Sequence, residues 1–116
     1  MALSVSPSRQ VDPTVLTLVG ELDVMTSPTL ADAIAKAIAD GATDIVLDAT
    51  GLAFCDSTGL SAFAAAVEQL GSKGGRLVIA GAPRIVRRVL EVSGLDEALL
   101  IAEDVADACD RLPATA

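Results

Sequence analysis

A cysteine, an aspartate, a serine and a threonine stand in a row at Cys55-Asp56-Ser57-Thr58, inside the stretch FCDSTGLSAF, and the residues after them turn apolar at helical spacing. A thiol, a carboxylate and two hydroxyls suit a nucleophile, a helix cap or an acceptor for a modifying group. A nucleophile needs a base, and the chain contains no histidine. That excludes Ser-His-Asp and Cys-His systems, a histidine-bearing zinc site and imidazole acid-base catalysis. Glycine lies two places after Ser57 but not two places before it, so the hydrolase nucleophile elbow is absent as well. Neither Lys36 nor Lys73 sits in a phosphate loop: GSKGG (Gly71 to Gly75) lacks the spacing and joins a helix to a strand, the reverse of the required order. GELD (Gly20 to Asp23) and LDATG (Leu47 to Gly51) supply carboxylates near strand ends without a third ligand, so no metal or cofactor is expected. The protein is expected not to be an enzyme.

Two uses remain for the polar run. Asp56 suits an N-cap whose carboxylate accepts backbone N–H bonds and favours the helix dipole, worth about 1 kcal/mol. A cap needs one side chain, however, and three polar ones are consecutive here. If Asp56 caps, Ser57 falls in the first helical turn with its hydroxyl toward solvent, where another protein could modify it.

Alternating strands and helices must position this run. ALSVS (Ala2 to Ser6) and TVLTLVGEL (Thr14 to Leu22) read as strands joined by the turn-rich segment Pro7 to Pro13, a hairpin-like start that is expected to supply sheet edges. A helix follows, with Thr26 or Ser27 as N-cap, Pro28 in the first turn, Leu30, Ile34, Ala37 and Ile38 on one face, and Gly41 as stop. DIVLDA (Asp44 to Ala49) is a continuous apolar run, as in a strand covered on both faces. It feeds, through GLAFCDSTG, a helix carrying Leu60, Phe63, Ala64, Val67 and Leu70 as far as Gly71. The pattern repeats with a strand at Arg76 to Gly81 and a helix from Pro83 to Gly94 carrying Ile85, Val86, Val89, Leu90 and Val92. Ala98 to Ile101 is expected as a last edge strand. A final helix from about Asp104 puts Val105, Ala108, Cys109 and Leu112 on one stripe, and residues 113–116 are expected to fray. The apolar stripes are expected to be core throughout.

A length of 116 residues suits one domain. The 16 acidic residues outnumber 8 basic ones, for a net charge of -8, which argues against nucleic acid or an anionic membrane as the main partner and leaves proteins. No charged-then-apolar leader opens the chain and no apolar stretch is long enough to span a bilayer, so a cytoplasmic location is expected. Cys55 and Cys109 show no metal-ligand spacing and are expected to be buried thiols. Arg84, Arg87 and Arg88 are either a solvated helix face or a patch for a nucleotide or an acidic partner. Glu21 and Asp23 are either solvated turn residues or partner-facing. Gly59 is either a plain packing glycine or a place of close approach by a neighbour or a kinase.

Three segments, LVGELDVMTSPTL, FCDSTGL and RLVIAGAPRIVRRVLEVSGL, resemble in order and spacing the signature blocks of bacterial anti-sigma factor antagonists built on the STAS domain. The resemblance covers nearly the whole chain, and Phe54-x-Asp56-Ser57-Thr58-Gly59-Leu60 is its most specific part. It implies one α/β domain over residues 1–116, with a mixed four- to five-stranded sheet and about four covering helices. It further implies phosphorylation of Ser57, with Thr58 as the lesser acceptor, by an anti-sigma factor that is also a protein kinase. The unphosphorylated form would bind that factor and free the sigma factor; the phosphorylated form would let go until a metal-dependent serine phosphatase resets it. Glu21, Asp23, Asp56, Thr58, Gly59 and Leu60 are then the expected partner interface. The alternative is a nucleotide- or ligand-binding STAS module, or a subunit of a larger signalling or transport assembly, in which Asp56 and Ser57 only cap.

Overall fold

The structure, a computed structural model, describes residues 2–9 and 12–112; the expected tail at 113–116 lies outside them. Strand β1 (Leu3–Pro7) pairs antiparallel with β2 (Thr14–Leu22), and β3 (Ile45–Cys55), β4 (Leu77–Ala80) and β5 (Leu100–Ala102) follow in parallel, in the spatial order β1-β2-β3-β4-β5. The expected mixed sheet is therefore present, with five strands. β1 is an edge as read, whereas β2 is interior, because its second side pairs with β3.

The alternation in β2 buries Leu16, Leu18 and Leu22 and leaves Val19 exposed, as the two-residue period of a strand requires. β3 starts as a run buried on both faces: Ile45 and Leu47 join the larger core cluster, while Val46 joins Val78 and Ala102 in a second one. This is the pattern of a covered parallel strand. β3 then continues to Cys55, well past the Ala49 expected from the apolar run, so most of the expected connector is strand. The reason is tertiary: β2 runs on to Leu22 and offers a parallel partner, pairing Val19 with Gly51 and Leu22 with Cys55 across two register shifts. Shifts of this kind let a Thr-Gly interruption sit inside a strand.

Helices α1 (Ser27–Ala39), α2 (Ser57–Gly71) and α3 (Arg84–Ser93) send Leu30 and Ile34, Phe63 and Leu70, and Val86 and Leu90 into the larger cluster. Helix α4 (Val105–Arg111) packs Ala108, with Leu112 at its end, into the second. Four expectations need correction here, the first being Ala64, which is exposed on α2 while Ala66 takes the buried position. Ile85 and Val92 are 59% and 75% exposed, because α3 meets the core on one narrow side only. Cys109 is exposed, one residue round from the Ala108 and Leu112 positions that face the sheet; only Cys55 is buried. Finally, β5 begins at Leu100 rather than Ala98, since Leu95–Glu97 forms a 3-10 turn and Leu99 is taken into the core. Gly94 ends α3 in the left-handed conformation at φ 79°, a geometry that favours glycine. Among the described residues no helix is long and apolar enough to cross a membrane.

Candidate functional site

Pairing of Leu22 with Cys55 brings the start of α1 and the start of α2 side by side at one end of the sheet. The Asp56 N–H donates to the Leu22 carbonyl at 3.2 Å, joining the two chain segments where both leave the sheet. Asp56 is extended at φ -101° and ψ -172°, and its Oδ1 accepts from the Gly59 N–H at 3.0 Å, so it is the N-cap of α2. Capping and exposure of Ser57 are thus not rival uses. Ser57 is the first helical residue and is exposed; its carbonyl accepts from the Ser61 hydroxyl at 3.1 Å, but its own hydroxyl makes no hydrogen bond among the described residues. Thr58 is half-buried and its hydroxyl is likewise unengaged among the described residues.

Gly59 lies inside this junction. It is buried, and a Cβ built on it would stand 2.8 Å from both Cys55 Sγ and Leu22 Cγ. The close approach at Gly59 is therefore made by a neighbouring pair of the protein's own strands. Leu60 is half-buried against the larger core cluster. Both residues set the height of α2 over the sheet and thereby the position of Ser57. Burial, and then the neighbouring Asp56 carboxylate, push the Cys55 thiol up to about 11, so it stays protonated and apolar at neutral pH.

Around Ser57 the surface is acidic and apolar at once. Asp56 and Asp23 leave the sheet together, and Glu21 sits opposite Phe54 in the β2–β3 register. Asp23 is also structural: its Oδ1 accepts from the backbone N–H groups of Met25 and Thr26 at 2.9 and 3.1 Å. Val24, Met25 and Phe54 are 64%, 81% and 43% exposed at this same end. Val24 and Met25 stand outside the expected interface residues, although two large apolar residues between Asp23 and Thr26, in a turn with nothing to bury them, are the sequence signal of an exposed apolar patch. No group of three or more His, Cys, Asp or Glu side chains among the described residues is placed to hold a metal ion.

A sheet covered by helices on both faces, with a capped, exposed serine at its end, defines a class, and comparison with known proteins agrees. Residues 5–102 match the family described as "Mlab, STAS domain". The chain belongs to the STAS-domain family. It is 33% identical over 94 residues to the anti-sigma-F factor antagonist RsfB of Mycobacterium tuberculosis, covering 81% of this chain and 76% of that one. Among solved structures, an anti-sigma factor antagonist from Mycobacterium paratuberculosis superposes with a TM-score of 0.84 at 28% identity, covering 93% of this chain and 92% of that one. The anti-sigma factor antagonist SpoIIAA of Bacillus superposes in its unphosphorylated form with a TM-score of 0.79 at 25% identity, over 94% of each chain. Its phosphorylated form superposes with a TM-score of 0.71 at 25% identity, over 96% of this chain and 99% of that one.

Proposed function

We propose that this chain is an anti-sigma factor antagonist whose docking is switched at Ser57. In its unphosphorylated form it binds an anti-sigma factor with kinase activity and so frees the sigma factor. The kinase transfers a phosphoryl group from ATP to the Ser57 hydroxyl, releasing ADP and a proton, and the complex comes apart; a serine phosphatase then hydrolyses the phosphate. The chain supplies the acceptor and no catalytic group, and it acts in the cytoplasm. The observation that carries this reading is the free, exposed Ser57 hydroxyl on a helix already capped by Asp56. Relatives named as anti-sigma factor antagonists, and the phosphorylated form of SpoIIAA, support it.

Charge explains how docking can fail while the fold survives. A phosphate adds about -1.5 to -2 charges. At a helix N-terminus the dipole and free N–H groups favour that anion by about 0.3–1 kcal/mol, so α2 tolerates it. A partner brought against Asp23 and Asp56 meets a surface that is already negative, and like charges forced together in an interface cost several kcal/mol. A loss of about 3 kcal/mol is more than a hundredfold in affinity. Incubation with the kinase and ATP followed by mass mapping is expected to find phosphate on Ser57. Ser57→Ala is expected to abolish it while retaining binding, and Ser57→Asp to weaken binding at unchanged fold. Phosphate confined to residues other than Ser57 and Thr58 would overturn the proposal.

A further inference from the structure

Helix α3 carries a surface that the Ser57 site does not use. Val86 and Leu90 face the core, while Arg84, Arg87 and Arg88 are exposed on the outer side, beside Ile85 and Val92. Among the described residues none of the three guanidiniums has a carboxylate within 4.0 Å: the two ion pairs are Lys36 with Asp40 and Arg111 with Asp107. This side of the helix is an open surface that carries Arg84, Ile85, Arg87 and Arg88, with the acidic Glu91 among them. Three of the chain's eight basic residues are thus gathered, unpaired, on a protein of net charge -8.

That combination selects the kind of partner. Nucleic acid and anionic membranes are polyanions that would have to approach the acidic remainder of the molecule as well, and three arginines cannot offset it. A protein surface can match both signs locally. Arginine beside exposed aliphatic side chains is the composition of an interface centre, and its planar fork suits carboxylates. We propose that the outer face of α3 is a second docking surface, taking an acidic, partly apolar surface of the same anti-sigma factor that engages Ser57. This rests on the function proposed above.

The topology puts both surfaces within reach of one partner. β4 ends at Ala80, opposite Asp48 of β3, and α3 starts four residues later; Cys55, which precedes Asp56 and the start of α2, lies seven residues beyond Asp48. At about 3.3 Å per residue, seven residues span at most roughly 23 Å, inside the roughly 30 Å breadth of an interface burying about 800 Å² per partner. The partner then meets an acidic patch at Asp23 and Asp56 and a basic one on α3. Two patches of opposite sign fix its orientation and speed its approach.

The test titrates the purified anti-sigma factor against wild type, the Arg84→Glu/Arg87→Glu/Arg88→Glu triple variant and the milder Arg87→Ala/Arg88→Ala, at low and high salt. Circular dichroism monitors the fold, which exposed substitutions on a surface helix should leave intact. The triple variant is expected to lose about tenfold or more in affinity, chiefly through slower association, and to flatten the salt dependence seen for wild type. The double variant should fall between. Wild-type binding with a triple variant within about twofold of it overturns the α3 surface and leaves the Ser57 reading standing. Failure of wild type to bind at all overturns both. A triple variant whose main effect is on sedimentation of the protein alone assigns the face to self-association, which also overturns the proposal.

Discussion

The starts of α1 and α2 lie side by side and are written in similar residues, Asp23 to Ser27 and Asp56 to Thr58, yet their polar atoms are engaged differently. At α1 the turn is tied. Thr26 is buried, its hydroxyl donates to the Glu21 carbonyl at 2.8 Å and accepts from the Asp23 N–H at 2.9 Å, and Asp23 Oδ1 takes two further N–H groups. Thr26 holds the N-cap position but makes no side-chain cap bond; its hydroxyl points back into the turn instead. At α2 one carboxylate does the capping, and the two hydroxyls after it make no hydrogen bond among the described residues. The fold needs Thr26 and does not need Ser57. A side chain that stability leaves free is one that a partner can modify.

The contrast is sharpest at Gly59, where α2 is pressed onto its neighbours. A Cβ there would lie 2.8 Å from Cys55 Sγ and Leu22 Cγ, and Leu22 is fully buried, so neither can step aside freely. Gly59→Val is expected to cost about 2–3 kcal/mol through overpacking, read as a lower urea midpoint at unchanged slope. A variant as stable as wild type would mean that α2 can ride higher over β2 and β3 than described. The two threonines make the next comparison. Thr26→Val removes the hydrogen bonds of a buried hydroxyl, to the Glu21 carbonyl and the Asp23 N–H and carboxylate, and should cost about 2 kcal/mol, whereas Thr58→Val should stay within about 0.5 kcal/mol. Equal effects at both positions would erase the distinction between the tied and the free start.

Cys55 gives the α2 side a pH dependence. Its folded pKa is raised from 9.0 to about 11. Between those values the unfolded thiol ionises while the folded one keeps its proton, so the native state binds more protons and stability falls as pH rises. The full contribution is present below about pH 9 and is lost through about pH 11. With discount for solvent near the helix start it amounts to on the order of 1–2 kcal/mol. Unfolding midpoints compared with Cys55→Ser across that range check the sign: the variant should decline less. A thiol reagent should also label exposed Cys109 quickly and Cys55 only on unfolding.

Much of this was legible in residue order. The two-residue period of β2, the glycine stop at Gly94 and the Asp56 cap are local, and local chemistry decided them. What depended on a distant partner was not. Nothing in Gly51 to Cys55 announces a strand; its pairing with the end of β2 makes it one. Helical spacing placed Ile85 and Val92 on an apolar stripe, but only packing reveals that α3 presents a single narrow side to the core. At the site, the exposure of Ser57 followed from the cap, while the burial of Gly59 depended on how closely Leu22 and Cys55 approach it.

The smallest expected effects separate the two helix starts most cleanly. Asp56→Ala removes the bond to the Gly59 N–H and should cost about 1 kcal/mol, as loss of an N-cap usually does. Ser57→Ala removes a hydroxyl that bonds to nothing described and should change stability by no more than about 0.5 kcal/mol. Because the cap and the proposed acceptor are different residues, the double variant should show the sum of the two effects, to within the spread seen for uncoupled sites. A clear excess or deficit in that cycle would show that the Ser57 hydroxyl helps to hold the helix start. In that case phosphorylation would act partly by loosening α2 rather than by charge alone, and the thermal midpoint of the phosphorylated protein would fall along with its affinity.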